Sequence, residues 1–400
     1  MSDSLVTKGE IRMLTGNEAA AQAVRLCRPS VIAAYPITPQ SELVEELAKF
    51  AAEGLLDAEM VEVEGEHSAM SVLMGASAAG ARTFTATTGQ GLAFMYEPYF
   101  AASTQRLPIV MAIVNREMLN PSTVSAGEQD FVTLKDGGWI IIAVENCQEI
   151  LDSLIMAYRL AEDPEIQLPV NVCYDGYYLS YLSDRVEIPS QEEVDLFLAP
   201  TQKYERPKLD PVKPLICISF ATGTLMMEYR YKHCAAFERA KNKIDEIERE
   251  FLAHFGRSYG GQIEEYRTGD AEVILITMGS RSGTAKVVVD KKRNEGLNVG
   301  LIKIRSLRPF PHERLIKALE GKKAIGVIDR SVCFGRNCGH LFVDVKASLA
   351  DVAAPIAMVN FIDGIGGVDI TVEHIERAVD ITYQAARGEP HQQVTWLALE

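Results

Sequence analysis

Over most of its length the chain alternates between short, continuous apolar runs and longer stretches whose apolar positions recur at helical spacing. Val31 to Tyr35, Ile109 to Val114, Trp139 to Val144, Gln167 to Tyr174, Val273 to Met278, Val299 to Ile304 and Ala324 to Asp329 are strand-length runs. Between them lie helical patterns at Asn17 to Leu26, Ser41 to Phe50, His67 to Ala81, Leu92 to Ser103, Gln148 to Ala161, Thr284 to Glu295 and His312 to Leu319. Strands apolar on both faces, alternating with helices, predict parallel sheets covered on both sides, an α/β fold. Two stretches break the alternation. Pro200 to Pro214 is rich in Pro and Lys without periodicity and reads as a linker. Met227 to Phe255 reads as one long charged helix with Phe237, Ala240, Ile244, Ile247 and Phe251 on a single stripe, lying along its own core. The expected organisation is a first unit at 1–200, a linker and long helix at 201–268, and a smaller α/β unit at 269–400.

The stretch from Ala58 to Gly91 says most about chemistry. A strand at Met60 to Val63 gives way to Glu64-Gly65-Glu66, then to a helix of small residues, then to an apolar and Thr-rich strand at Arg82 to Thr87 that breaks at Gly89-Gln90-Gly91. A helix built of Ala, Ser and Gly can approach a neighbouring backbone or a flat ligand closely. Glu66 stands at its start, where the helix dipole favours a carboxylate. Pro36-Ile37-Thr38-Pro39 follows another strand and is held extended by its prolines. Arg116 follows a third strand and offers a fork for a carboxylate. In an open parallel sheet the carboxyl ends of the strands border the ligand crevice. Thr38, Glu66 and Arg116 each have a plain structural explanation: a turn threonine, a helix-start carboxylate, a solvated strand-end arginine. Their shared position on one edge of one sheet is what makes them a candidate site. Gly279-Ser280-Arg281-Ser282-Gly283 could cradle a phosphate, but it lacks the lysine of a P-loop and reads as a tight strand-to-helix turn.

Composition narrows the function classes. Hydrophobic residues make up 47% of the chain, enough for ordinary cores, and a formal charge of −15 without any basic block excludes a nucleic-acid binder. The N-terminus has no signal-peptide core, and the longest apolar runs fall short of a membrane span, so a soluble, cytoplasmic protein is expected. Among the 7 cysteines no CxxC occurs. Cys333 and Cys338 form the one close pair, with His340 beside them, but no fourth ligand is near. They read as small hydrophobes rather than a zinc or cluster site, and no metal ligand is expected on this chain.

At this point the motifs carry a resemblance. Tyr35-Pro36-Ile37-Thr38-Pro39, Gly65-Glu66-His67-Ser68-Ala69-Met70, Gly75 to Ala81, Thr83 to Thr87, Val114-Asn115-Arg116, Asp136-Gly137-Gly138-Trp139, Asp175-Gly176-Tyr177, Arg305 to Pro311 and the glycine-rich Asp363 to Asp369 resemble the α subunit of the 2-oxoacid:ferredoxin oxidoreductases, the pyruvate:ferredoxin oxidoreductase family. The matches run in order through nearly the whole chain. The resemblance implies a thiamine-diphosphate-binding, pyrimidine-domain parallel-sheet fold followed by a smaller transketolase C-terminal-like α/β domain. It implies that Glu66 hydrogen-bonds the aminopyrimidine ring of thiamine diphosphate beside Pro36, Ile37, Gly89 and Gln90. Thr38 and Arg116 would bind the substrate carboxylate. The implied reaction is oxidative decarboxylation of a 2-oxo acid to acyl-CoA and carbon dioxide. Coenzyme A is the co-substrate, and electrons pass through iron–sulfur clusters to ferredoxin or, with a further flavin subunit, to NAD. The family's Gly-Asp-Gly motif for diphosphate and Mg2+ is missing here, as are clustered cysteines. The resemblance therefore places Mg2+ and the 4Fe–4S clusters on partners: a β subunit sharing the cofactor, and a ferredoxin-like subunit, with a γ subunit completing the complex. The chain alone would be inactive.

One departure bears on substrate. After Arg116, pyruvate-type members resemble Arg-Ala-Leu-Ser-Ala-Pro-Ile-Asn-Ile-Trp with an Asp-His-Gln-Asp ending. Here Pro121, Gln129 and Asp130 keep their spacing, Ser125 replaces the large aromatic residue, and Gly127-Glu128 replaces the Asp-His pair. Lost bulk at Ser125 predicts room for a larger 2-oxo acid, such as an aromatic one like phenylglyoxylate. Two other readings stand beside this one: a non-catalytic scaffold or regulatory subunit, and a subunit of a non-redox thiamine diphosphate enzyme.

Overall fold

The structure, a computed structural model, describes residues 9–202, 205–216, 220–350 and 356–399; Cys217 lies outside them. In chain order the elements are β1 (Glu10–Leu14), α1 (Gly16–Cys27), β2 (Val31–Ala34), α2 (Ser41–Ala52), β3 (Glu59–Glu62), α3 (Glu66–Ala78), β4 (Thr83–Thr87), α4 (Gly89–Phe94), α5 (Tyr96–Thr104), β5 (Val110–Asn115), α6 (Gln129–Thr133), β6 (Ile140–Ala143), α7 (Cys147–Ala161), β7 (Val170–Asp175), α8 (Tyr178–Tyr181), β8 (Asp184–Ile188) and α9 (Gln191–Gln202). The chain continues through α10 (Gly223–Phe255), β9 (Ile263–Tyr266), β10 (Val273–Thr277), α11 (Arg281–Asn294), β11 (Val299–Ile304), β12 (Ser306–Arg308), α12 (His312–Ala318), β13 (Ala324–Asp329), α13 (His340–Ser348), β14 (Ala357–Ile362), α14 (Val372–Ala386) and β15 (Val394–Trp396).

The apolar runs become two largely parallel sheets. The first has 7 strands in the order β12-β6-β7-β5-β4-β2-β3, and the second has 6 in the order β15-β14-β13-β10-β11-β9. Within these two sheets, among the described residues, only the edge strands β12 and β9 run antiparallel to their neighbours, and β1 and β8 form a separate antiparallel pair. Strands β4 to β7 are buried along their whole length, which explains why β5 and β6 are continuous apolar runs; even the alternating threonines of β4 are covered. On one face of the first sheet, α1 and α7 bury a core around Val24, Ile150, Leu154 and Tyr158. On its other face a second core runs without interruption from Met70, Met111 and Trp139 to Ile274, Ile302 and Ile325 of the second sheet. The two sheets are thus welded through shared apolar packing.

The chain also crosses between sheets. β12, from the Arg305 to Pro311 motif, pairs with β6 of the first sheet, while β9 pairs with β11 of the second. Short strands carrying Arg or Glu give no apolar run to read. The long helix begins at Gly223 and buries Ala236, Ala240, Ile244, Ile247 and Phe251, with Phe237 only partly covered. The expected linker starts later than Pro200, since α9 continues to Gln202 with that proline inside it. Beyond it the chain lies back on the end of α3: Leu209 donates its backbone N–H to Ala78 at 2.8 Å, and Arg206 donates to the Ala81 carbonyl at 2.9 Å. The strand expected to break at Gly89-Gln90-Gly91 does end at Thr87, and the turn expected there is the first turn of α4. The helix expected at Leu92 to Ser103 is two helices parted at Met95. Among the described residues no helix is long and apolar enough to cross a membrane.

Candidate active site

The carboxyl ends of β2, β4, β5 and β7 meet at one edge of the first sheet, and the register sets Thr87, Asn115 and Asp175 in neighbouring positions there. Pro39 packs over Gly176, where a side chain would press on its ring and on the Asn115 carbonyl. The 36–39 turn is tied down from behind: Asn17 donates to the Pro39 carbonyl at 2.9 Å, and Tyr174 donates to Asn17 at 2.9 Å. Gln40 is fully buried, accepts from the Ile37 backbone and donates to the Ala86 carbonyl at 2.9 Å. These three anchors lie on different elements and carry no motif of their own, so sequence reasoning passes over them.

Arg116 is the hub. Its Nη1 donates to the Thr38 carbonyl at 2.8 Å and its Nη2 to the Gln90 side-chain oxygen, while Nε is buried without a partner. Thr38 therefore holds Arg116 through its backbone, and its residue stays exposed. Burial is the main influence on the Arg116 guanidinium and lowers its pKa, while Asp130 and Glu66 act in the opposite sense. The backbone that carries Arg116 is fixed by Asp130. One carboxylate oxygen of Asp130 accepts from the N–H groups of both Arg116 and Gly89 at 3.0 Å, and the other accepts from Phe131 at 2.8 Å. Asp130 thus staples β5 to α4.

Glu66 is buried at the first position of α3. Burial raises its carboxyl pKa above the ordinary range, opposed by its own backbone N–H and by Arg116. Two glycines make room for this pair. At Gly89, with φ at +47°, any side chain would be strained and would collide with Arg116. At Gly91 the backbone is helical, but a Cβ would collide with the Glu66 carboxyl and the Thr87 hydroxyl. Gly91→Ala is therefore expected to displace Glu66 and lower kcat by about tenfold or more, a loss matching roughly 1.4 kcal/mol of transition-state stabilisation. Steady-state assay together with a circular dichroism spectrum unchanged from the native chain checks this.

The other predicted residues fall into two groups. Gln90 joins Arg116 directly, and Pro36 and Ile37 border the same turn. Ser125 is not hydrogen-bonded to any of them: its Cβ packs on Gly367 in the turn after β14. The space beside Gly127 is not empty either, because the Glu117 carboxyl occupies it. Glu117 has its pKa pushed up to about 7, chiefly by burial and then by Asp130 and Glu128, and that of Asp130 rises to about 6 through burial. Native-state pKa values raised above the unfolded ones mean that the folded chain binds these protons more tightly. Their stabilisation is complete below the unfolded carboxylate range and is lost as pH rises through about 6 to 7. Glu117→Gln is expected to raise stability at pH 8 by roughly 1–3 kcal/mol and to have little effect at pH 4.5. Thermal melts across pH test this.

Beyond this edge lies the second sheet. Glu128 forms a fork with Arg281, at 2.5 Å and 3.2 Å, and Arg281 also donates to the Ile328 carbonyl at 3.1 Å. Both side chains are buried. The Gly279 to Gly283 segment is a strand-to-helix turn, as its sequence suggests, and its arginine reaches back to the first sheet. Arg330 lies 2.7 Å from Asp175 across the same boundary. Among the described residues no group of His, Cys, Asp and Glu could hold a metal ion.

Comparisons with known proteins place this parallel-sheet fold among the thiamine diphosphate-binding α/β proteins. Two solved structures share the fold. A 2-oxoglutarate:ferredoxin oxidoreductase from Magnetococcus marinus superimposes with a TM-score of 0.70 at 21% identity, over 93% of this chain and 65% of that longer one. A split-gene transketolase, an inactive β4 tetramer, gives 0.53 at 13% identity over 94% and 99%. The sequence matches the family described as pyruvate flavodoxin/ferredoxin oxidoreductase, thiamine diphosphate-binding, over residues 22–249, and pyruvate:ferredoxin oxidoreductase core domain II over 271–375. It is 45% identical over 387 residues to the α subunit of the NADH-dependent phenylglyoxylate dehydrogenase of Aromatoleum evansii, covering 95% of this chain and 93% of that one. It is 43% identical over 390 residues to the pyruvate synthase subunit PorA of Methanothermobacter thermautotrophicus, covering 98% of each. The chain belongs to the pyruvate:ferredoxin oxidoreductase family, as an α-type subunit.

Proposed function

We propose that this chain supplies the pyrimidine end of a thiamine diphosphate site in a coenzyme-A-acylating 2-oxoacid oxidoreductase, and that its substrate is a 2-oxo acid larger than pyruvate. The observation that carries the reading is the convergence of the buried Glu66 carboxyl and the Arg116 fork between Gly89 and Gly91. The residues present fit the cofactor: Glu66 is held with its proton favoured, and Gly91 keeps side-chain bulk away from it. When bound, thiamine diphosphate supplies the carbon nucleophile and the electron sink that decarboxylation of a 2-oxo acid needs. The chain's own residues do the rest. Glu66 holds a proton for the ring nitrogen, where a carboxyl of raised pKa is suited to the task. Arg116, braced by Thr38, Gln90 and Asp130, orients the substrate carboxylate. Tight ground-state binding of that carboxylate would oppose its loss, so Arg116 acts through position more than through affinity.

The proposed assembly places diphosphate, Mg2+ and clusters on a β subunit, with γ and ferredoxin-like subunits, ferredoxin or NAD as acceptor through a flavin subunit, and the whole in the cytoplasm. Support for the larger substrate comes from the loss of a large aromatic side chain at Ser125 in the sequence and from the name of the phenylglyoxylate-dehydrogenase relative. The complex, purified without oxygen, is expected to reduce dye fastest with aromatic 2-oxo acids, dependent on coenzyme A. Pyruvate turning over faster than every bulkier acid would remove the substrate assignment, and no activity with any 2-oxo acid would remove the reading itself.

A further inference from the structure

The hairpin between β13 and α13 carries a second chemistry. Cys333 and Cys338 face each other across an isolated antiparallel bridge, and the Cys333 N–H donates to the Cys338 carbonyl at 2.7 Å. A turn closes the loop between them: Arg336 donates to the Cys333 carbonyl at 3.0 Å, and Gly335 and Asn337 take left-handed conformations. Directly opposed residues in a hydrogen-bonded antiparallel pair have Cα atoms about 5.5 Å apart, within the roughly 4.4–6.8 Å that a disulfide spans. Both cysteines are thiols here. Their access differs: Cys333 is half-exposed beside the bare ring of Phe334, while Cys338 is buried. The other described cysteines differ in setting, since Cys27, Cys147 and Cys173 are buried and Cys234 is exposed on α10.

We propose that Cys333 and Cys338 form a reversible redox pair, a modification site for low-molecular-weight disulfides. The accessible Cys333 thiolate attacks one sulfur of the small disulfide and expels the other as a thiolate, leaving a mixed disulfide on Cys333. The Cys338 thiolate then attacks the Cys333 sulfur, closes the intramolecular disulfide and expels the second small thiolate. Two protein thiols lose two electrons and two protons, and one small disulfide becomes two thiols. The pairing sets the two Cα atoms within disulfide reach, and closing the bond draws the Cβ atoms together by about 1 Å, so it tightens and fixes the hairpin. That hairpin is anchored on the first sheet's loop, where the Val332 N–H donates to the Gln129 side chain at 3.1 Å, next to Asp130. Its other end runs into α13, whose first N–H groups are capped by Asp329. Oxidation therefore stiffens a strap between the second sheet and the segment that positions Arg116.

Trypsin gives a direct test, because cleavage after Arg330, Arg336 and Lys346 puts the two cysteines on separate peptides. The native complex is incubated with oxidised glutathione, alkylated and digested. The expected product is peptide 331–336 joined to peptide 337–346, lost on treatment with dithiothreitol. In Cys338→Ser the reaction should stop at a glutathione adduct on Cys333. Amide exchange across residues 331–340 should slow in the oxidised complex. Recovery of both peptides singly alkylated, or adducts scattered equally over Cys234 and Cys333 without the link, would overturn the pair; a link that forms without slowing exchange would overturn the strap.

Discussion

Replacing Glu66 with Gln in the assembled complex is expected to lower kcat by about 10²–10⁴-fold while leaving the fold and the subunit contacts in place. Gln is nearly the same size and keeps a hydrogen-bonding oxygen, so the packing against Gly91 and Thr87 survives. What disappears is a titratable proton at a site where burial favours its retention. The substrate KM should move much less than kcat, because Arg116 and its braces at Thr38 and Gln90 are untouched. Steady-state kinetics on the anaerobically purified complex decides the matter. Undiminished turnover in Glu66→Gln would favour a scaffold or regulatory role for this chain.

The second large effect is on stability. Arg281→Met removes a fork from a carboxylate that sits 153 residues away in sequence and is buried at Glu128. An unpaired buried charge costs about 3–5 kcal/mol, whereas exchanging both partners for apolar or neutral groups of similar volume is often close to neutral. The single variant should lower the apparent melting temperature by roughly 4–6 °C. The double variant Arg281→Met with Glu128→Gln should recover most of that loss. Equal melting of the single and double variants would show that the pair contributes no coupling across the sheet boundary.

The legibility of this chain in its sequence follows physical lines. Where a strand is buried on both faces, as at Ile109 to Val114, hydrophobicity alone marks it, and the parallel α/β class follows. Where a strand lies at an edge and carries charge, as at Ser306 to Arg308 or Ile263 to Tyr266, the sequence offers no apolar run to mark it. The glycines at 89 and 91 read in the sequence as the end of a strand, as glycine usually marks one. Their cause is three-dimensional: Arg116, after β5, and Glu66, at the start of α3, press on the two glycines. Thr38 and Arg116 do converge, but through a backbone carbonyl rather than the hydroxyl. Asp130 had only its spacing to commend it, since its work is to accept N–H groups from β5 and α4, and no periodicity records that. The small size of Ser125 accommodates a glycine turn that follows β14 of the second sheet.

β12 has a consequence for the order of assembly during synthesis. The first sheet's edge at β6 stays open until Ser306 to Arg308 has left the ribosome, well after α10 is made. Until then the nascent chain presents β6, an entirely apolar strand, with an unpaired row of amide and carbonyl groups, the template on which edge-to-edge aggregation starts. A fragment ending near residue 250 carries that exposed edge permanently and should precipitate. A longer fragment that includes the short Arg-bearing strand closes its own margin and should stay dispersed.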